Sequence, residues 1–397
     1  MSGPGPLGGG NPFEGLPIFA DLAKLFVSQG PVNWEIARQM AHYVAVGEGT
    51  EANVDPLERI RLEELVRVAE IQVGTATGLP TSVTGTALAT EAVGRGEWAA
   101  RTLQDYRELL ERLATSLAAD PGGGTEAAEG AEATGLPTDF LGSLGQVLGP
   151  VMMGFQSGSM VGHLAQRAFG LYDLPVPRPL ADRIVLVPAT IDAFAADWSL
   201  PVDDLRLWVC LEEVTHHAVL GRPRVRERLL GLLYEFAGGF RADSSALEER
   251  FGEIDPTDPG SFQAVLGDPE SLLGAFQSPE QKALLPRLEA VVCVVVGYVD
   301  HVMDTVGRTL IGSASSLGEA LKRRRVERGE GERFVERMLG LELGQAQYDR
   351  GAAFVRGVVE RAGEDALGRL WRSERELPTP AEVDAPGLWL ERIDLPN

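Results

Sequence analysis

Cysteine is nearly absent: 397 residues contain only Cys210 and Cys293. Both fall in apolar helical patterns, which excludes a disulfide framework and suits a reducing compartment, so the cytoplasm is the expected location. Positive charge is scarce too. Lys and Arg number 36 against 58 Asp and Glu, a net charge of −22. So acidic a chain can neutralise few phosphates, which excludes sequence-independent binding to nucleic acid. The run Lys322-Arg323-Arg324-Arg325 is the local exception. Set among Glu319, Glu327 and Glu330, it reads as a solvated helix face. No apolar run reaches the ~18 residues of a membrane span. Met1 to Gly10 is rich in Gly and Pro and lacks the charged and apolar stretches of a secretory signal. What is present, at 44% hydrophobic residues, suffices for a sizeable core.

Apolar residues recur at three- and four-residue spacing over most of the chain, which predicts helices over 17–29, 31–46, 56–73, 87–117 and 138–171. Further helices are expected over 203–220, 223–240, 261–276, 279–310, 330–341 and 344–362. Small residues (Gly154, Ser157, Gly158, Ser159, Gly162) suit the fifth of these to close helix packing. Arg183 to Val187, short and β-branched, is the best strand and the only edge on offer for an extended peptide. The fold class is therefore mainly α. Residues 1–16 read as a flexible leader and 17–118 as an N-terminal helical region. Residues 119–137, small and acidic without bulky apolar side chains, read as a linker. The body runs from 138 to 397 and ends in a Pro-rich tail.

Two polar interruptions of apolar helices stand out. The first is Glu212-Glu213-Val214-Thr215-His216, flanked by Leu205, Leu207, Trp208, Val209 and Leu211. It is one substitution from H-E-x-x-H, in which two His one helical turn apart hold zinc and the Glu between them is the general base. Residues 212 and 216 share a helix face, with Cβ atoms about 5–6 Å apart. Glu213 lies about 100° round the helix. Burying this cluster costs several kcal/mol unless it is paired or ligated; the same pattern also fits an ordinary amphipathic helix with a polar face. The second interruption places Asp300 and Asp304 one turn apart, beside His301 and Gly297, after the run Val294-Val295-Val296. Capping or interhelical hydrogen bonding would account for it, as would a site shared with the first. Cys210 and Cys293 read as buried and inert, and His42 and His163 as structural. Gly8 to Gly10 and Gly122 to Gly124 lack the strand, helix and Lys of a phosphate loop, so no cofactor-binding residues are expected.

Longer blocks carry a resemblance. Gly9-Gly-Asn-Pro-Phe-Glu-Gly-Leu-Pro-Ile-Phe-Ala-Asp-Leu22, Leu171-Tyr-Asp-Leu-Pro-Val-Pro-Arg-Pro179 and Val187-Pro-Ala-Thr-Ile-Asp-Ala-Phe194 are three of them. Asp203-Asp-Leu-Arg-Leu-Trp-Val-Cys210, Gly297-Tyr-Val-Asp-His-Val-Met-Asp304 and Leu377-Pro-Thr-Pro-Ala-Glu-Val-Asp-Ala-Pro-Gly387 continue in the same order. Together they resemble the zincin-like metallopeptidases of actinobacteria, also described as hydrolases associated with coenzyme F420 biosynthesis. The resemblance implies a mainly helical zincin-like scaffold, zinc as cofactor, and a peptide or protein as substrate or ligand. It also implies a histidine at the position of Glu212 and a ligating glutamate at the position of Val296. Of the implied ligands His216 remains, and the implied base Glu213 is kept. Two readings follow. A pseudoenzyme would keep the scaffold for binding or regulation. An active metallohydrolase would instead hold zinc on Glu212, His216 and Asp300, with Glu213 as base.

Overall fold

A computed structural model describes residues 30–118, 138–240, 278–341 and 343–395. The leader, the linker and the helices expected over 17–29 and 261–276 lie outside them. Helix α1 (Trp34–Val46) opens on Asn33, whose side chain accepts from the Ile36 amide. Helix α2 (Pro56–Thr77) opens on Asp55, which accepts from the Leu57 amide with Pro56 in the first turn. The segment expected as one helix over 87–117 is three elements: strand β1 (Ala89–Ala92), helix α3 (Arg95–Asp105) and helix α4 (Arg107–Ala118). β1 pairs in parallel with β2 (Arg183–Leu186), Ala89 opposite Arg183 and Ala92 opposite Leu186. A four-residue strand takes its identity from a partner far along the chain, and helical periodicity in its neighbours overrode that signal.

The expected strand is therefore present, but not as an open edge. Ile184, Val185 and Leu186 are fully buried, and Leu186 is also bridged to Gly170. β2 thus offers no groove for an extended peptide.

Helix α5 (Thr138–Arg167) lies along α1, and its small residues make the contact. A Cβ on Gly154 would sit 2.4 Å from the Asn33 carbonyl oxygen, and one on Gly158 2.4 Å from that of Ala37. After β2 come α6 (Pro188–Asp197), α7 (Val202–Leu220) and α8 (Pro223–Ala237). Helix α9 (Pro279–Val302) begins in a capping box of Ser278 and Gln281 with an amphipathic first half, and from Ala290 to Val299 it is buried all round, as a central segment must be. It passes into a π turn, Met303–Gly307. Then follow α10 (Ala314–Val326), α11 (Glu330–Met338) and α12 (Gln345–Ala362). The Pro-rich tail forms two short helices, α13 (Pro380–Asp384) and α14 (Pro386–Asp394), both packed on α12. One core runs from Ala37 to Ile393 through all of these. Among the described residues no helix is long and apolar enough to cross a membrane.

Candidate functional site

From Leu205 to Leu220 nearly every residue of α7 is buried, polar ones included. Glu212, Glu213 and His216 line one cavity with Val296 and Asp300 of α9, with about 70 Å³ of free room. The turn Phe169–Pro175, the end of α5, the end of α10, Arg328, Glu332 and Glu336 at α11, and Tyr348 of α12 also line it. The two clusters singled out in the sequence are thus neighbours in space. Asp304 is not part of the site. The π turn adds a residue to that helical turn, and Asp304 is exposed and ion-paired to Arg308 at 3.1 Å. His301, half-buried, has Nε2 3.8 Å from Glu364.

The cavity already holds a cation of the chain's own. Arg325, at the end of α10, donates from Nη1 and Nη2 to the two oxygens of Asp300 at 3.0 and 2.8 Å. The same Nη2 donates to Glu212 Oε1 at 3.3 Å. The guanidinium carbon lies 4.2 Å from the centre of the Tyr348 ring, a cation–π contact on the remaining face. Burial opposes charge on Arg325, but Asp300, Tyr348 and Glu212 raise its pKa above the ordinary value. Reading the basic run as a solvated face misses this residue. Lys322 and Arg323 do point to solvent, whereas Arg324 and Arg325 turn inward. Arg324 donates to Asp173 at 2.7 Å and lies over the Phe169 ring at 3.8 Å.

Glu213 faces the turn before β2. Its Oε2 accepts from the Leu171 amide at 2.7 Å and its Oε1 from the Tyr172 amide at 3.0 Å. Asp173 takes the two preceding amides, Phe169 at 2.6 Å and Gly170 at 3.1 Å. Four successive N–H groups are thereby satisfied by two carboxylates. Trp98 Nε1 donates to the Gly170 carbonyl at 2.7 Å, and Arg178 Nη2 to that of Leu171 at 2.7 Å. Gly170 is required for the approach, since a Cβ there would fall 2.3 Å from the Glu213 carboxyl carbon. Burial, and then the charge of Asp173, push Glu213 well above the usual carboxylate range, against the pull of the two amides.

His216 Nδ1 lies 3.0 Å from the Glu212 carbonyl oxygen, which can only accept. Nδ1 therefore carries the proton and Nε2 the lone pair, the tautomer that ligates metals. Burial lowers its pKa, so the ring is neutral at pH 7. Tyr172 stacks on it, centroids 6.0 Å apart and planes 13° from parallel. His217 looks the other way. Its Nδ1 is hydrogen-bonded with the Tyr172 hydroxyl at 2.9 Å, and its Nε2 lies 3.9 Å from Asp182. Asp182 anchors the loop before β1, accepting from the Val83 amide and from the side chains of Ser82, Thr84 and Thr86. Cys210 and Cys293 are buried, and burial pushes both thiols up, Cys293 to about 12. Among the described residues no three His, Cys, Asp or Glu side chains converge as a metal-binding group.

A sequence profile of a family described as zincin-like metallopeptidases matches residues 32–390. Among solved structures, a crystal structure of a candidate hydrolase with a novel fold from Chloroflexus aurantiacus is similar, with a TM-score of 0.64 and 24% sequence identity. The match covers 92% of this chain and 100% of that one, and at such identity it speaks to the fold. No curated protein sequence matches the chain.

Proposed function

We infer the function of this chain from the premise that it belongs to the zincin-like metallopeptidase family, which matches it from residue 32 to residue 390. We propose that it keeps the scaffold as a binding or regulatory pseudoenzyme and has exchanged zinc for a guanidinium of its own. The observation that carries this reading is Arg325, bonded to both Asp300 and Glu212. A catalytic zinc needs three protein donors and an open position for water. The donors here do not fit it. Val296 supplies none, and Glu212 and Asp300 are committed to Arg325. A divalent ion entering the cavity would meet a fixed positive charge. Glu213, the residue in the position of the base, has an amide on each oxygen.

The presence of Glu212, His216 and Asp300 in the lining of one cavity, with His216 in the ligating tautomer, favours a second reading. That reading is a metallohydrolase cleaving peptide bonds on a remodelled site, with Glu213 as base. It requires Arg325 to leave both carboxylates. Metal analysis of the purified chain separates the two. On the first reading zinc is far below stoichiometric, and His216→Ala changes nothing. The combined variant Glu212→His, Val296→Glu, Arg325→Ala then gains near-stoichiometric zinc, while the first two changes with Arg325 retained gain little. Stoichiometric zinc in the unmodified chain, lost with His216→Ala, overturns it.

A further inference from the structure

Helix α2 is apolar on two opposite faces. Leu62, Val66, Ala69 and Val73 are buried in the core. On the far side Leu57, Ile60, Val68 and Ile71 are 68%, 54%, 40% and 66% exposed. At about 100° per residue these four lie within one narrow stripe, with Glu64 at its middle. Scattered exposed aliphatics need no explanation, but an aligned row over four turns does.

The row has a further property. Leu57, Ile60, Glu64, Val68 and Ile71 are separated by 3, 4, 4 and 3 residues, the same read in either direction. A second α2 laid antiparallel, related by a twofold axis at Glu64, presents the identical stripe. Leu57 then meets the partner copy's Ile71, and Ile60 meets Val68. The mean spacing is that of a coiled-coil seam, and isologous pairing is what a twofold dimer requires. Charge agrees with this register. Glu64 would face its own copy, but Arg61 and Arg67, both exposed, lie one turn to either side of it on each helix. Arg67 also pairs with Glu63 of its own helix, so the two Glu64 carboxylates share these guanidinium groups with the Glu63 side chains.

We propose that α2 is a self-association surface, and that its partner is α2 of a second copy of this chain, antiparallel and centred on Glu64. The seam is roughly 20 Å long. So short a seam suits a weak dimer that forms as concentration rises.

Sedimentation equilibrium of the full chain, with a cross-linking register test, decides it. The chain is expected to dimerise as concentration rises. Ile60→Glu, at an exposed position, weakens the dimer roughly a hundredfold or more while leaving the circular dichroism unchanged. Both native cysteines are buried, so an introduced thiol is the reactive one. Glu64→Cys is expected to form a disulfide dimer on mild oxidation. Leu57→Cys alone does not, but cross-links when mixed with Ile71→Cys. A chain monomeric at every concentration overturns the proposal, whether the stripe is bare or covered by another part of the same chain. So does a dimer indifferent to Ile60→Glu, or Leu57→Cys cross-linking with itself, which would mean parallel helices.

Discussion

At the scale of single residues, the candidate site turns on Arg325. Its side chain and those of Glu212 and Asp300 are 15%, 23% and 23% exposed, so the ion pairs are mostly but not wholly dehydrated. Removing one partner of a fully buried pair costs about 3–5 kcal/mol, and the remaining exposure argues for about 2. Arg325→Met is therefore expected to lower stability by about 2 kcal/mol in urea denaturation. Adding Glu212→Leu and Asp300→Leu should recover most of that, since no uncompensated charge is left. A second expectation concerns Glu213. Glu213→Ala orphans the Leu171 and Tyr172 amides and should cost about 2–4 kcal/mol in the same measurement. Glu213→Gln, which keeps one acceptor, should cost roughly half as much. A loss no larger than that of an exposed Glu→Ala change would count against the clamp.

The burial cost of the Glu-Glu-His cluster was legible in the sequence, but its partner was read the wrong way. A finer signal was available. On α10, Arg324 and Arg325 fall on or beside the stripe that carries Leu317 and Leu321, both buried, whereas Lys322 and Arg323 fall on the other side. Charge alone marks the run as solvated; periodicity divides it in two.

At the scale of elements, the crossing of α9 and α12 holds Val296 and Asp300 against the cavity. It is made by two glycines. A Cβ on Gly351 would lie 1.9 Å from the Cys293 carbonyl oxygen, and one on Gly297 2.2 Å from the Gly351 carbonyl carbon. Backbone is hard to displace, so Gly351→Ala should destabilise by about 2–3 kcal/mol and disturb the site. Heat denaturation, together with the near-ultraviolet signal of Tyr348, would register both effects. An unchanged midpoint would mean that the helices can separate. Helix extents were largely evident from periodicity, as for α2 and α7. The π turn and β1 were not, because each depends on a contact made after the helices pack. Gly297, seen only as a small residue on the Asp300 stripe, acquires its reason from Gly351.

At the scale of the whole molecule, burial of His217 makes stability depend on pH. Burial lowers its pKa from 6.5 to about 4. A depressed folded pKa gives stability that is complete above the unfolded value and is lost as pH falls from about 6.5 through 4. Glu213 acts in the opposite sense, since its raised pKa favours the folded state most below the ordinary Glu value and the benefit fades as pH rises. The net profile mixes the two, so the difference curve is the quantity to read. The stability of the unmodified chain minus that of His217→Gln should fall by about 3 kcal/mol between pH 6.5 and pH 4. A flat difference would mean that folding leaves the pKa of the ring unchanged.

Composition and periodicity were enough to establish a helical fold and the two helices on which polar groups interrupt an apolar face. Those properties are local: each depends on a residue and its neighbours within a turn or two. Which cation meets Glu212 and Asp300 is not local. Arg325 is 25 residues from Asp300 and 113 from Glu212 along the chain. Only the packing of α7, α9 and α10 brings one guanidinium between two carboxylates, and the same packing turns Glu213 onto the Leu171–Tyr172 amides. Buried charge must find a partner, and where that partner lies is decided by the tertiary fold.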